Sequence, residues 1–256
     1  MVLKDAVCIV TGSASGIGGS CARLLASKGA RVAINFTRSA KEAHEVAEGC
    51  KNNGGDAIVV QADVSSDEDC RRLAKSAIDK WGRIDALVNN AGTTKFAPHA
   101  DLEALQAADF EHIFRVNVIG AFQMVRAVMP AMREQGKGAI VNVSSIAGLT
   151  GLGSSVAYAA SKGALNTMTL SLARALAPAI RVNAVCPGFV ETRWLKTGLG
   201  AAYEAQKRNY EANTPLQSTV QPEDVADAVV WLLEGAAKVT GELIIVDSGS
   251  HLRSSR

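Results

Sequence analysis

Tyr158 and Lys162 stand four residues apart in the stretch YAASK, among Ala, Ser and Gly. On a helix, positions i and i+4 share a face, so phenol and ammonium would enter the same space. The pair alone can be a packed tyrosine beside a snorkelling lysine. It can also do chemistry, and carbonyl reduction by hydride is the reaction it suits. The alkoxide that hydride leaves needs a proton at its oxygen. A free tyrosine, with a pKa of about 10, exchanges protons poorly near neutrality. An ammonium one turn away is expected to favour the phenolate and lower that value, tuning the group as a general acid. A positively charged nicotinamide ring would push the same way. The hydroxyl of Ser145 can hydrogen-bond the substrate oxygen as charge develops on it.

A second stretch, TGSASGIG from Thr11 to Gly18, follows one strand-like run and opens a helical one. Glycines at 12, 16 and 18 allow a tight turn and close approach of backbone to a pyrophosphate. The helix N-terminus then offers free N–H groups and the positive end of its dipole. The turn residues Gly12, Ser13, Ser15, Gly16, Ile17 and Gly18 are therefore candidate cofactor contacts. The alternative is a plain strand–helix connection, but the strand before and helix after are what a dinucleotide site requires.

The elements that must position these groups alternate from end to end. Strand candidates are 6–11, 31–36, 57–62, 86–90, 139–145, 180–186 and 242–247. They are almost continuously apolar, as strands covered on both faces are. Helical patterns run near 16–29, 40–53, 67–81, 102–134, 157–177 and 222–234. This predicts an α/β fold: one Rossmann-type, doubly wound parallel sheet of about seven strands with helices on both faces. A single domain over 1–256 is expected. The polar segment 193–221 interrupts the rhythm and is expected to be a part-helical substrate lid.

The spacing of the glycines, with NNAG at Asn89 to Gly92, Asn117 in RVNVIGAF, Ser145, YxxxK and Pro187-Gly188, resembles the short-chain dehydrogenase/reductase family. The resemblance runs in order from about residue 6 to residue 249. It implies a catalytic set of Asn117, Ser145, Tyr158 and Lys162. In the family the serine lies thirteen residues before the tyrosine, which favours Ser145 over Ser144. The resemblance also implies that Lys162 holds the nicotinamide ribose and that Asn117 serves a water chain to Lys162. It places Asp63 and Val64 on the adenine side. Asn90, Ala91 and Gly92, and Pro187, Gly188, Val190 and Thr192, join Tyr158 and Lys162 as cofactor contacts. Homo-oligomers, most often tetramers, built on helices 102–134 and 157–177 are implied too.

Within the family the chain is most similar to 3-oxoacyl-[acyl-carrier-protein] reductases, through VNVSSIAG, CPGFVET and TGELIIVDSG. A small carbonyl or alcohol substrate, with or without an acyl carrier protein, follows. Relatives that act on sugars or polyols share the motifs, and a non-catalytic nucleotide-binding regulator is the reading from another class. Arg126, Arg133, Lys137 and Arg174 could supply the basic rim that an acidic carrier would need, but ordinary solvated surface is the favoured reading. Ser248 stands where the usual ending VDGG has glycine, which bears on how tightly that turn packs.

The expected cofactor is NADP(H), with NAD(H) as the alternative. Twenty residues past Gly18 comes Arg38, followed by Ser39, and RVAINFTRSAK contains no acid. A guanidinium and a hydroxyl suit a 2′-phosphate, whereas a carboxylate there would serve NAD. Ser15 stands where many NADP-using relatives carry a base.

Bulk properties exclude other classes. The 256 residues carry a formal charge of +2, with 48% hydrophobic and 5% aromatic residues, which gives no footprint for nucleic acid or membrane. Five scattered cysteines without CxxC read as reduced thiols, with Cys8 and Cys186 in the core, in a cytoplasmic protein. Strand-like sequence by Ala6 leaves no room for a signal peptide. The four histidines lack metal-ligand spacing, so no metal is expected.

Overall fold

The computed structural model describes residues 1–252. Seven parallel strands lie in the order β3-β2-β1-β4-β5-β6-β7. They are β1 Val7–Val10, β2 Arg31–Phe36, β3 Asp56–Gln61, β4 Ala86–Asn89, β5 Gly138–Val143, β6 Ile180–Pro187 and β7 Leu243–Val246. β1 pairs with β2 on one side and β4 on the other, so the chain reverses direction between β1 and β4. That reversal opens a crevice at the carboxyl ends of the strands, where ligands of such sheets bind. Alternate side chains of each strand enter two cores. Cys8 and Val10 pack under α1 (Gly16–Ser27), α2 (Ala40–Asn52) and α10 (Pro222–Glu234). Val7 and Ile9 pack under α3 (Asp67–Trp81), α5 (Ala121–Glu134) and α7 (Val156–Leu176). All five cysteines are free and buried, as small apolar residues are.

Local chemistry sets the helix ends. Ser66 accepts a hydrogen bond from the Asp69 N–H, three acids occupy the first turn of α3, and Gly82 closes it in the left-handed region. Gln221 and Asp224 form a capping box on α10, with Pro222 in its first turn. Ser155 caps α7 through the N–H of Tyr158, fixing the start of the helix that carries the YxxxK pair.

The predicted helix over 102–134 is not continuous. A 3-10 turn (Leu102–Ala104) and α4 (Ala107–Phe114) lead into a π-helical turn over Arg115–Gly120, then α5. Such turns insert a residue and mark functional segments. Gly120 approaches Val64 so closely that a Cβ would lie 2.8 Å from its side chain.

Nor do the four basic residues form a rim at the crevice. Arg133 ends α5, and Lys137 directly precedes β5, so both lie at the amino edge of the sheet, opposite Ser145. Arg174 is sixteen residues, about 24 Å, along α7 from Tyr158. Arg126 pairs with Asp67.

Segment 193–221 folds as α8 (Arg193–Leu199), a 3-10 turn and α9 (Tyr203–Asn213). Glu191 anchors it, accepting hydrogen bonds from Lys207, Thr219 and Gln221. At the end of β7, Ser248 sits at φ 55, a conformation that costs a side chain about 1–2 kcal/mol. The turn forms nonetheless: the Asp247 carboxylate accepts from the N–H groups of Gly249 and His251.

Candidate active site

The glycine turn is built by its neighbours. Asn35, buried at the end of β2, accepts from the Gly12 N–H and donates to the Ala62 carbonyl. The Ser13 hydroxyl donates to the Val10 carbonyl and accepts from the Asn35 N–H, so it holds β1 to β2 rather than facing the crevice. The Asn90 amide donates to the carbonyls of Thr11 and Gly12. A Cβ on Gly18 would lie 2.4 Å from that amide, and one on Gly12, at φ 61, would lie 2.9 Å from the Ala91 backbone. Asn90 and Ala91 thus shape the turn from behind. At the mouth, Ser15 is exposed and Gly16 and Ile17 are half-buried. Ser15 makes no side-chain cap on α1, and no acid occupies the first turn. A helix start without a cap or a carboxylate fits a pyrophosphate.

Across the crevice, α7 brings Tyr158 and Lys162 together, with the Lys162 Nζ 5.6 Å from the phenol ring centroid. Lys162 is buried and donates to the Val143 carbonyl at 2.9 Å. Burial without a carboxylate partner presses its pKa down to about 8. Burial likewise pushes the Tyr158 phenol up to about 12, with the Ser145 hydroxyl opposing the rise; that hydroxyl accepts from the Ala147 N–H. The expected lowering of the tyrosine by the lysine is therefore not met: desolvation is the largest influence on the phenol and raises it. Ser144 is turned away, donating to the Lys162 carbonyl.

The Asn117 side chain, in the π-helical turn, accepts from the Thr93 N–H and donates to the Thr93 carbonyl and the Ser161 hydroxyl. It holds the segment after Gly92 against α7, and its carboxamide makes no bond to Lys162. A Cβ on Gly92 would come within 3.4 Å of Asn117 and 3.8 Å of the Lys162 Nζ. Behind the pair, Gly148, in the short α6 (Ala147–Thr150), touches the α7 backbone; a Cβ there would lie 2.5 Å from Lys162 C.

On the adenosine side, Arg38 is exposed, and its guanidinium has no hydrogen-bond or ion-pair partner among the described residues. Ser39 precedes α2 without capping it. Asp63 is exposed and accepts from the Ser65 N–H, and Val64 is buried. Past β6, the Pro187 carbonyl accepts from the Ile146 N–H, and the Gly188 N–H donates to Val246. Val190 bridges to Val220. Thr192 caps α8 and its methyl touches the Gly16 site at 3.4 Å. Arg193 pairs with Glu42 on α2 at 3.2 Å. Among the described residues, no cluster of His, Cys, Asp or Glu could hold a metal, and no helix is long and apolar enough to cross a membrane.

Residues 12–251 match the family described as enoyl-(acyl carrier protein) reductase. A ketoacyl reductase of the granaticin polyketide synthase of Streptomyces violaceoruber is 45% identical over 246 residues, 96% of each chain. The chain belongs to the short-chain dehydrogenase/reductase family. A 3-oxoacyl-[acyl-carrier-protein] reductase of Synechocystis is 36% identical over 250 residues, covering 96% of this chain and 97% of its own. The crystal structure of a short-chain dehydrogenase/reductase from Burkholderia xenovorans, 41% identical, superposes with a TM-score of 0.91 over 97% of this chain and 99% of its own. As a member of this family the chain is an oxidoreductase that uses a nicotinamide cofactor.

Proposed function

We propose that the protein is an NADPH-dependent reductase of 3-oxoacyl thioesters. The observation that carries this is the half-buried Tyr158 phenol on α7, with the Lys162 ammonium 5.6 Å from its ring and Lys162 in turn beside Gly92. The bound nicotinamide supplies the hydride. Ser145 polarises the ketone oxygen. Tyr158, kept neutral by burial, donates its proton to that oxygen as the alkoxide forms. Lys162 holds the ribose through N–H groups left over from its bond to Val143. Asn117 positions the Thr93 segment and, through Ser161, α7. The lid over 193–221 closes the crevice, with Glu191 as its anchor.

The names of the relatives support the substrate class: a ketoacyl reductase at 45% identity and a 3-oxoacyl-[acyl-carrier-protein] reductase at 36%. Exposed Ile119 in the π-helical turn, Phe122 on α5 and Leu170 on α7 support burial in a homotetramer. Five free thiols support a reducing, cytoplasmic setting. The test is a screen at fixed NADPH of 3-oxoacyl thioesters against sugars and polyols. Reduction of the thioesters is expected; turnover of polyols alone would replace this substrate class.

Arg38 is proposed as the reader of the 2′-phosphate. A hydrogen bond to a charged group is worth about 1.5–3 kcal/mol. Arg38→Ala is therefore expected to weaken NADPH about 10- to 150-fold and leave NADH almost unchanged. Equal losses for both cofactors, or a wild type that prefers NADH, would assign the phosphate to another group.

A further inference from the structure

Two aromatic rings, Trp194 and then Phe96, extend in a chain from the ring of Tyr158. The Trp194 ring, on α8, lies 6.1 Å from Tyr158 and 5.5 Å from Phe96, centroid to centroid, tilted by 43° and 53°. Trp194 is 45% exposed, a large apolar surface left open beside the reactive hydroxyl. Gly198, one turn on, lies against Phe96 so closely that a Cβ would overlap its ring. The other wall is mixed: Gly153 meets the Tyr158 ring, and its carbonyl meets the His99 ring nitrogen at 3.1 Å. A Cβ on Gly153 would lie 3.4 Å from the Tyr158 ring, and Leu152 beside it is 70% exposed. The cations of this region are engaged elsewhere: Lys95 with Asp109, Arg193 with Glu42, and Lys196 over Tyr203.

Rings 6.1 Å apart leave no room for a third between them. A substrate that reaches the Tyr158 hydroxyl must displace the indole or slide along it. α8 permits this, because none of its residues is buried. What then lines the space beside the ketone is two aromatic faces, Trp194 and Phe96, with no charge. A saturated chain gains only buried area there. A flat conjugated ring gains stacking as well, about 0.5–1.5 kcal/mol for each aromatic partner.

We propose that Trp194 and Phe96 set the specificity, selecting 3-oxoacyl thioesters whose ketone carbon bears a flat, aromatic or conjugated ring over those bearing a saturated chain. This rests on the reductase reading above and narrows its substrate.

The test compares two thioesters of N-acetylcysteamine, 3-oxo-3-phenylpropanoyl and 3-oxohexanoyl, at saturating NADPH. Wild type is expected to favour the phenyl substrate in kcat/KM. Trp194→Leu is expected to lower kcat/KM for it about 2- to 13-fold and to leave that for the hexanoyl substrate almost unchanged. Trp194→Phe, which keeps a ring, should restore most of the preference, and Phe96→Leu should reduce it. Equal losses on both substrates, or a wild type that prefers the saturated chain, would overturn the inference and leave the reductase reading intact. Turnover of neither thioester by wild type would overturn both.

Discussion

Tyr158→Phe is expected to lower turnover by about two to four orders of magnitude while NADPH still binds. The substitution keeps the ring and its contact with Trp194 and removes only the hydroxyl. Folding should be unaffected, because α7 is capped by Ser155 through the backbone N–H of residue 158 and not through the phenol. What disappears is the proposed proton donor, a phenol that burial keeps neutral. Ser145 cannot take its place: an alcohol has a far higher pKa than a phenol, and its oxygen already accepts from the Ala147 N–H. Turnover by steady-state loss of nicotinamide absorbance and cofactor affinity by fluorescence titration separate the two roles. A variant that keeps a tenth of wild-type turnover would show that another group delivers the proton.

Much of this arrangement was legible in the chain. Short β-branched runs separated by helical periods force a parallel sheet, and the glycine turn and the YxxxK pair fall where that sheet ends. What escaped depends on neighbours distant in sequence. Asn35 reads as a polar interruption of RVAINF; only the pairing of β2 beside the turn makes it the acceptor for Gly12. Gly148 looks like an ordinary loop glycine, because the backbone it must clear, at Lys162, lies in another element. The π-helical turn is invisible to a period of 3.6, although a lone Asn in RVNVIG is the trace it leaves. The topology also gives the reason for solvated surface over a basic rim at Lys137. A lysine immediately before β5 must stand at the amino edge of a parallel sheet, and the crevice is at the other. The direction of the Tyr158 shift turns on desolvation, which spacing along a helix does not report.

Lys162→Met should damage both rate and cofactor affinity, because one side chain serves both. Methionine keeps most of the stem volume and removes the charge and the donors, leaving the Val143 carbonyl without its partner. A buried acceptor left unmet costs about 1–3 kcal/mol, so some loss of stability should accompany the functional one. The pH dependence distinguishes the functional role from this structural cost. Burial holds Lys162 at about 8 in the free protein, below its ordinary value of 10.5. If the ammonium is the form that holds the ribose, NADPH affinity is full below pH 8 and falls as the pH rises through it. The limit is about tenfold per pH unit, since the bound state then takes up one proton that the free state lacks. Lys162→Met has no such proton to take up, and its weaker affinity should be flat over the same range. Titrations of wild type and variant between pH 6.5 and about 9.5 supply the comparison; that window brackets the lysine and stays below the Tyr158 phenol near 12. Wild-type affinity that stays constant through pH 9, or a variant that binds NADPH as tightly as wild type, would remove Lys162 from the ribose site and leave it only its contact with Val143.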